Sequence, residues 1–183
     1  MDSVDWDEIR EALPIRKTPE DFEKRNKLWA AVDENGNGFV SLAELDKKFR
    51  ELVKVDRVFK AQPVLIRAHQ AARFKVKTKS IHGPDYVERC EFRLVLLYIR
   101  QYFEYYVAFK RIDKSNDDRI SLAEFVNAGE ELNKWIPNIG DLEEAFKEAD
   151  ANGGGLILFN EFVRWAIKRS LDLEDDDDYD LQG

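Results

Sequence analysis

The sequence predicts an all-α protein of four helix–loop–helix units in two paired lobes. Short two-stranded β pairings join the loops, and an extra helix precedes them. Three observations predict this. A twelve-residue loop frame recurs four times in 183 residues. Apolar residues stand at helical spacing on both sides of the loops. A helix start, Thr18-Pro19-Glu20-Asp21, with Thr18 capping and Pro19 in the first turn, opens the first unit.

The elements follow in order. Residues 1–17 are expected to form the N-terminal helix, 18–100 the first lobe, 101–171 the second, and 172–183 an acidic disordered tail. In the first unit Phe22, Trp29 and Val32 recur before the loop, and Leu45, Phe49 and Leu52 after it. The loop between them runs from Asp33 to Glu44. Asp33, Asn35 and Asn37 place side-chain oxygens at positions 1, 3 and 5. Gly38 at position 6 permits a sharp turn, because it has no Cβ. Phe39 offers its backbone carbonyl at position 7, Ser41 acts through water at position 9, and Glu44 closes the shell at position 12. Six to eight oxygens in this order are what the hard cation Ca²⁺ takes, and the pattern is the EF-hand loop.

The frame returns at 113–124, where Asp113, Ser115, Asp117, Arg119 (by its backbone), Ser121 and Glu124 take the same roles. Position 6 is Asp118, which tolerates a left-handed backbone at a cost of roughly 1 kcal/mol. Three carboxylates among the ligands offset that. The copy at 150–161 keeps Asp150, Asn152, Gly155, Leu156 (backbone) and Glu161. It has Gly154 at position 5 and Leu158 at position 9, neither with a side-chain oxygen, so it is expected to bind weakly or not at all. The copy at 80–91 survives only as a frame. Ser80, His82 and Pro84 occupy positions 1, 3 and 5, and no Ca²⁺ site is expected there.

The shared frame carries the repeat. Position 8 reads Val40, Val87, Ile120 and Ile157; position 12 reads Glu44, Glu91, Glu124 and Glu161; the next residue is Leu45, Phe92, Phe125 or Phe162. β-branched residues at position 8 suit a short strand pairing. The loop at Asp33 is therefore expected to pair with the degenerate one, and that at Asp113 with that at Asp150.

Composition narrows the function. The chain is 44% hydrophobic and 36% charged, with a net charge of -8. That argues against a nucleic-acid binder, which needs a basic footprint. Lone Cys90 excludes an internal disulfide framework and fits a reducing compartment, and it is expected to be a buried or half-buried structural residue. Two histidines, His69 and His82, leave little for a transition-metal cluster. The acidic start lacks the character of a signal peptide, and the apolar stretch from Phe92 to Phe109 carries too many charges to span a membrane. A cytoplasmic protein is the expectation. No G-x-S-x-G, P-loop or H-E-x-x-H motif is present, and Gly153-Gly154-Gly155 lies inside a loop frame with no following Lys-Ser/Thr, so the chain is not expected to be an enzyme.

Charge is unevenly spread. The tail holds seven acids (Asp172, Glu174, Asp175, Asp176, Asp177, Asp178, Asp180) and no base. It reads as a solvated tail, or as a weak Ca²⁺ trap or intramolecular clamp. Between Lys54 and Lys79, eight bases face one acid, Asp56. That is a solvated helix face, or a surface for anionic lipid or an acidic partner.

Beyond the EF-hand superfamily, the chain resembles the flagellar calcium-binding proteins, the calflagins. The resemblance rests on Trp6, Ile9, Arg10, Ala12, Leu13, Pro14, Lys17 and Thr18 in the N-terminal helix. It rests also on Tyr86-Val87-Glu88, Glu91-Phe92-Arg93-Leu94, Leu96 and Tyr98-Ile99. It covers roughly Trp6 to Leu171, and it implies a four-hand, two-lobe protein that senses Ca²⁺ near flagellar membranes. Those proteins carry an acylated N-terminal Gly-Cys segment. Here residue 2 is Asp2 and no cysteine precedes Cys90, so an acyl switch is not carried over.

The expected function is a Ca²⁺ sensor or adaptor that changes conformation and binds an unidentified protein target, with peripheral contact to anionic membrane through 54–79. The cofactor is Ca²⁺, with Mg²⁺ as its resting competitor. A Ca²⁺ buffer and a calcium-independent EF-hand scaffold are the alternatives. A chromophore-binding, photoprotein-like carrier is another, for which His69 is the one candidate ligand. With Met1 the only methionine, a sensor groove would be built from Trp29, Phe49, Phe92, Phe125, Trp135, Phe146, Phe162 and Trp165. Such stiff residues favour a narrow partner range.

Overall fold

The computed structural model describes residues 5–52, 64, 66–68, 70 and 86–171, with the side chains of 48–52 excepted. Ser80, His82 and Pro84, most of the basic segment 54–79 including His69, the Phe49 side chain and the tail 172–183 lie outside the described residues. The chain divides into two compact units between Phe103 and Glu104.

The first unit opens with α1 (Trp6–Ala12), capped by Asp5, whose Oδ1 accepts from the Glu8 N–H at 3.1 Å. Ile9 on this helix and Leu13 just after it are buried, and Trp6 meets Phe103 edge-on at 6.0 Å. The N-terminal helix is thus packed into the core of this unit. Helix α2 (Pro19–Val32) starts as its sequence dictates: Thr18 Oγ accepts from the Asp21 N–H, and Pro19 takes the first turn, where its missing N–H costs nothing. Trp29 and Val32 on α2 are buried, but Phe22 is 56% exposed, so it does not join the core as its spacing suggests.

Strand β1 (Phe39–Ser41) pairs antiparallel with β2 (Tyr86–Glu88), with Val40 opposite Val87. Both valines are buried, and Phe39 meets Tyr86 edge-on at 5.2 Å. Helix α3 (Leu42–Leu52) leaves the first loop and buries Leu45. Residues 64, 66–68 and 70 are helical, with Val64 and Ala68 buried.

Helix α4 (Phe92–Ile112) supplies residues to both units. Its first half buries Phe92, Val95, Leu96 and Ile99, and Phe92 stands edge-on to Trp29 at 5.1 Å. No helix among the described residues is long and apolar enough to cross a membrane.

In the second unit β3 (Arg119–Ser121) pairs with β4 (Leu156–Leu158), with Ile120 opposite Ile157, both fully buried. Helices α5 (Leu122–Asn127) and α6 (Gly129–Trp135) follow β3. Helix α7 (Leu142–Ala149) leads into the last loop, and α8 (Phe159–Lys168) leaves it. Asp141 starts α7 by accepting from the N–H groups of Glu143 and Glu144. The core is aromatic. Phe125 touches Phe146 and Trp165 edge-on at 5.8 and 5.4 Å, and Phe109 touches Phe162 at 5.6 Å. Both strand pairings expected from the position-8 residues are present. They bring the ends of paired loops together, and that positions the candidate site.

Candidate functional site

The loops at 33–44, 113–124 and 150–161 are each built on the carboxylate at the first position. In the first, Asp33 Oδ1 accepts from the Asn37 N–H at 3.1 Å and Oδ2 from the Gly38 N–H at 3.0 Å. Asp113 does the same with Asp117 and Asp118, at 3.2 and 3.0 Å. Asp150 does so with Gly154 and Gly155, at 3.0 and 2.8 Å. For those two N–H groups to turn inward, the backbone must pass through left-handed conformations. It does so at positions 4 and 6 of these three loops: Gly36 and Gly38 (φ 66 and 86), Asn116 and Asp118 (φ 59 and 63), Gly153 and Gly155 (φ 68 and 77). Asp118 therefore adopts the glycine-like turn expected of it. Asn116 shares that demand, which sequence reading missed.

The closing glutamates also share one geometry. Oε2 of Glu44, Glu91, Glu124 and Glu161 accepts the N–H of position 9 at 2.9, 2.9, 2.9 and 3.0 Å respectively. At Glu44 and Glu124 the Ser41 and Ser121 hydroxyls add a second bond, at 2.7 and 2.8 Å. The same serines cap α3 and α5 by accepting from the glutamate N–H. Leu158 has no oxygen to return, so α8 keeps only half of this arrangement.

The glutamates differ in reach. Glu124 Oε1 crosses its loop to the Ser115 N–H at 2.9 Å, and Ser115 Oγ donates to Asp113 Oδ1 at 3.2 Å. Positions 1, 3 and 12 are thereby linked. Glu161 Oε1 crosses in the same way to the backbone and side-chain nitrogens of Asn152, at 3.1 and 2.6 Å. Burial pushes the Glu124 carboxyl up, but the hydrogen bonds from Ser121 and Ser115 outweigh it and hold it at about 2. Bonds from the Ser41 backbone and hydroxyl lower the Glu44 carboxyl likewise. Both groups are carboxylates at neutral pH, the form a cation needs.

At position 5 Asn37 Oδ1 and Asp117 Oδ1 accept from the N–H of Phe39 and Arg119, each at 3.0 Å, which aims both side chains into their loops. Gly154 offers nothing there, and a Cβ on it would stand 2.5 Å from Asn152 Oδ1. Loops 33–44 and 113–124 carry side-chain oxygens at positions 1, 3, 5, 9 and 12: Asp33, Asn35, Asn37, Ser41 and Glu44, and Asp113, Ser115, Asp117, Ser121 and Glu124. Phe39, Arg119 and Leu156 stand at position 7 as strand residues. Loop 150–161 gathers Asp150, Asn152 and Glu161 but lacks side-chain oxygens at positions 5 and 9.

These donor sets are all oxygen, which fits a hard cation and not a soft one. Among the described residues no three His, Cys, Asp or Glu side chains converge as a metal cluster. The donor set of the first loop has two carboxylates, Asp33 and Glu44, and relies otherwise on amide, hydroxyl and backbone oxygens. In the other complete loop Lys110 joins the set. Its ammonium donates to Asp113 Oδ2 at 2.9 Å and Asn116 Oδ1 at 3.0 Å and pairs with Asp118. Burial pulls the Lys110 ammonium down, but the bonds from Asp118 and Asp113 win and raise it. Sequence reading missed Lys110; the signal was its place three residues before Asp113 on a helix.

One expectation changes here. Cys90 is exposed, because it sits in the turn between β2 and α4 while the neighbouring Glu91 takes the inward place. The aromatics assigned to a groove are core in this conformation, with Trp29, Phe92, Phe125, Trp135, Phe146, Phe162 and Trp165 all buried.

A family model described as the FCaBP EF-hand domain matches residues 9–99. The flagellar calcium-binding protein TB-17 of Trypanosoma brucei brucei is 34% identical over 182 residues, spanning 98% of this chain and 78% of the relative. The flagellar calcium-binding protein of Trypanosoma cruzi is 34% identical over 175 residues, spanning 94% and 83%. Among solved structures, a homolog of programmed cell death 6 protein from Leishmania major Friedlin aligns over 86% of this chain and 78% of its own. It does so with 16% identity and a TM-score of 0.39.

Proposed function

The chain belongs to the flagellar calcium-binding protein (calflagin) family, and from that premise we propose that it is a Ca²⁺ sensor with metal sites at 33–44 and 113–124. One observation carries the reading. The two loops share a backbone frame, inward N–H groups on the first carboxylate and a serine-held glutamate at the close, around an oxygen-only donor set. Asp33, Asn35, Asn37, the Phe39 carbonyl, Ser41 and Glu44 hold the first ion. Asp113, Ser115, Asp117, the Arg119 carbonyl, Ser121 and Glu124 hold the second. Ca²⁺ supplies charge and coordination that draw each glutamate and its helix toward the first carboxylate. The loops at 80–91 and 150–161 act as strand partners of these sites, in a four-hand, two-lobe plan.

The sensor reading draws support from the aromatics attached to those helices. Trp29 lies four residues before Asp33, and Phe92 follows Glu91, so a shift of α2 against α4 would part a buried ring pair. A buffer would keep that pair closed. The target is a protein, with contact to anionic membrane through 54–79, and the setting is flagellar, as the relatives' names indicate for them. Dye binding to apolar surface tests the sensor step. Fluorescence of an apolar dye should rise on Ca²⁺ addition and not on Mg²⁺. Saturation of both sites without any rise would make the protein a buffer.

A further inference from the structure

Glu161, which closes the loop at 150–161, is 8% exposed. A buried carboxylate has to be met by donors or by a charge. Three neutral N–H groups meet this one. Oε2 accepts from the Leu158 N–H at 3.0 Å, and Oε1 accepts from both the backbone and the side-chain nitrogen of Asn152, at 3.1 and 2.6 Å. Only the NH₂ side of an amide can stand that near a carboxylate oxygen, because its carbonyl side would be repelled, so chemistry fixes which way Asn152 points. Position 3 is thereby tied through its side chain to position 12. Those are two of the ligand positions that a cation bridges in a complete loop.

The first loop has an asparagine at the same position and uses it differently. Asn35 Oδ1 accepts from the Asn37 N–H at 2.9 Å. Position 5 separates the two cases. It is Asn37 in the loop at 33–44 and Gly154 in the loop at 150–161, where a Cβ would stand 2.5 Å from Asn152 Oδ1. The glycine therefore does more than remove a ligand oxygen. It leaves the room in which the Asn152 amide turns toward Glu161. The helices of this hand are joined a second time by Glu148 on α7, which accepts from Lys168 and Arg169 at the end of α8, at 2.5 and 2.9 Å.

We propose that Asn152 is the positioning residue of this hand. Its amide takes the place of the cation, holds Glu161 against the first half of the loop and, with Gly154 making room, keeps the hand at 150–161 closed whether or not Ca²⁺ is bound elsewhere. In the second unit Ca²⁺ then acts through the loop at 113–124, against a partner hand that stays fixed. The proposal rests on the reading of 33–44 and 113–124 as metal sites only for the comparison they provide.

Exchange of backbone N–H groups with solvent reads loop closure. Gly38, Asp118 and Gly155 all stand at position 6 and donate to the first carboxylate of their loops, so one sample of the full chain compares them. In chelator, after correction for intrinsic rates, Gly155 should exchange at least roughly tenfold more slowly than Gly38 and Asp118, and Ca²⁺ should slow the other two toward it. Asn152→Ser removes the amide and installs the residue type that Ser115 supplies at position 3. Gly154→Ala keeps Asn152 and displaces its amide. Each should bring Gly155 to the rate of Asp118 in chelator, with Gly38 and the far-ultraviolet circular dichroism unchanged. Gly155 exchanging as fast as Asp118 in the unsubstituted chain would overturn the proposal. Slow exchange that survives both variants would overturn it in favour of a hand closed by its backbone and the Glu148 pairs. Slow exchange that appears only with Ca²⁺ would overturn it in favour of a third cation site. Failure of Ca²⁺ to slow Gly38 and Asp118 is a separate result. It would refute the proposed function, while Gly155 against its two variants in chelator would still decide the role of Asn152.

Discussion

The Lys110 ammonium sits 2.9 Å from Asp113 Oδ2, with the lysine side chain 7% exposed and the aspartate side chain fully buried. A lysine outside the twelve-residue frame thus already compensates the first carboxylate of the loop at 113–124. Its bonds fall on Asp113 Oδ2, Asn116 and Asp118.

Removing that lysine should separate metal-free from metal-bound stability. Lys110→Met leaves a buried carboxylate without its charge partner, which should cost about 1–3 kcal/mol in chelator. Ca²⁺ supplies the missing charge, so the deficit should shrink when the ion is present, and by linkage the variant should bind Ca²⁺ more tightly at this loop. Urea unfolding with and without Ca²⁺ checks this. An equal deficit in both conditions would mean that the lysine does nothing for the site.

The closing glutamates should act separately. Glu44→Gln and Glu124→Gln each remove one carboxylate from one loop, and each should weaken one site by roughly tenfold or more, about 1.4 kcal/mol, while sparing the other. Residue-resolved NMR on Ca²⁺ addition would register the loss at Gly38 in one case and at Asp118 in the other.

Gly154 offers a gain-of-function check. Its φ is not in the left-handed range, so a side chain meets no backbone penalty, and the obstacle is Asn152 Oδ1 at 2.5 Å. That amide lies at the end of a rotatable side chain. Gly154→Asp should turn it aside, restore the position-5 oxygen and add a third binding event in a Ca²⁺ titration. Asp150→Asn in the same background should abolish the event.

The Glu11–Lys24 pair ties α1 to α2 at 2.6 Å. The hydrogen bond from Lys24 and then its charge lower the Glu11 carboxyl from 4.5, so its contribution is present above pH 4.5 and lost as pH falls through the lowered value. The bond from Glu11 outweighs desolvation and raises Lys24 from 10.5, so that contribution is present below pH 10.5 and lost as pH rises through the raised value. Glu11→Gln should lower the melting temperature slightly at pH 7 and not at pH 2, since both groups are exposed to solvent. A deficit of the same size at both pH values would contradict the pairing.

The loop frame was legible in the sequence because the turn, the oxygens and the closing glutamate all sit at fixed offsets. The strand pairs were legible because Val40, Val87, Ile120 and Ile157 share one offset. Lys110 was not, since it approaches from a helix outside the frame, and neither was the left-handed backbone at Asn116. Periodicity gave Phe22 to the core because it lies on the same face as Trp29, but it is 56% exposed while Trp29 is buried. Cys90 was misplaced for a related reason. Its chain neighbours are Arg89 and Glu91, and in the turn after β2 it is Glu91, not Cys90, that takes the inward place. Arg25, Arg89 and Arg93 line one open pocket but come from α2, from the turn after β2 and from α4, and only folding brings them together.

Calorimetric titration of Ca²⁺ into metal-free protein, in millimolar Mg²⁺, tests the central claim most directly. Two binding events of micromolar affinity, one missing in Glu44→Gln and the other in Glu124→Gln, are the predicted result. No event tighter than millimolar would contradict it and leave the loops as a scaffold that holds helices together without calcium.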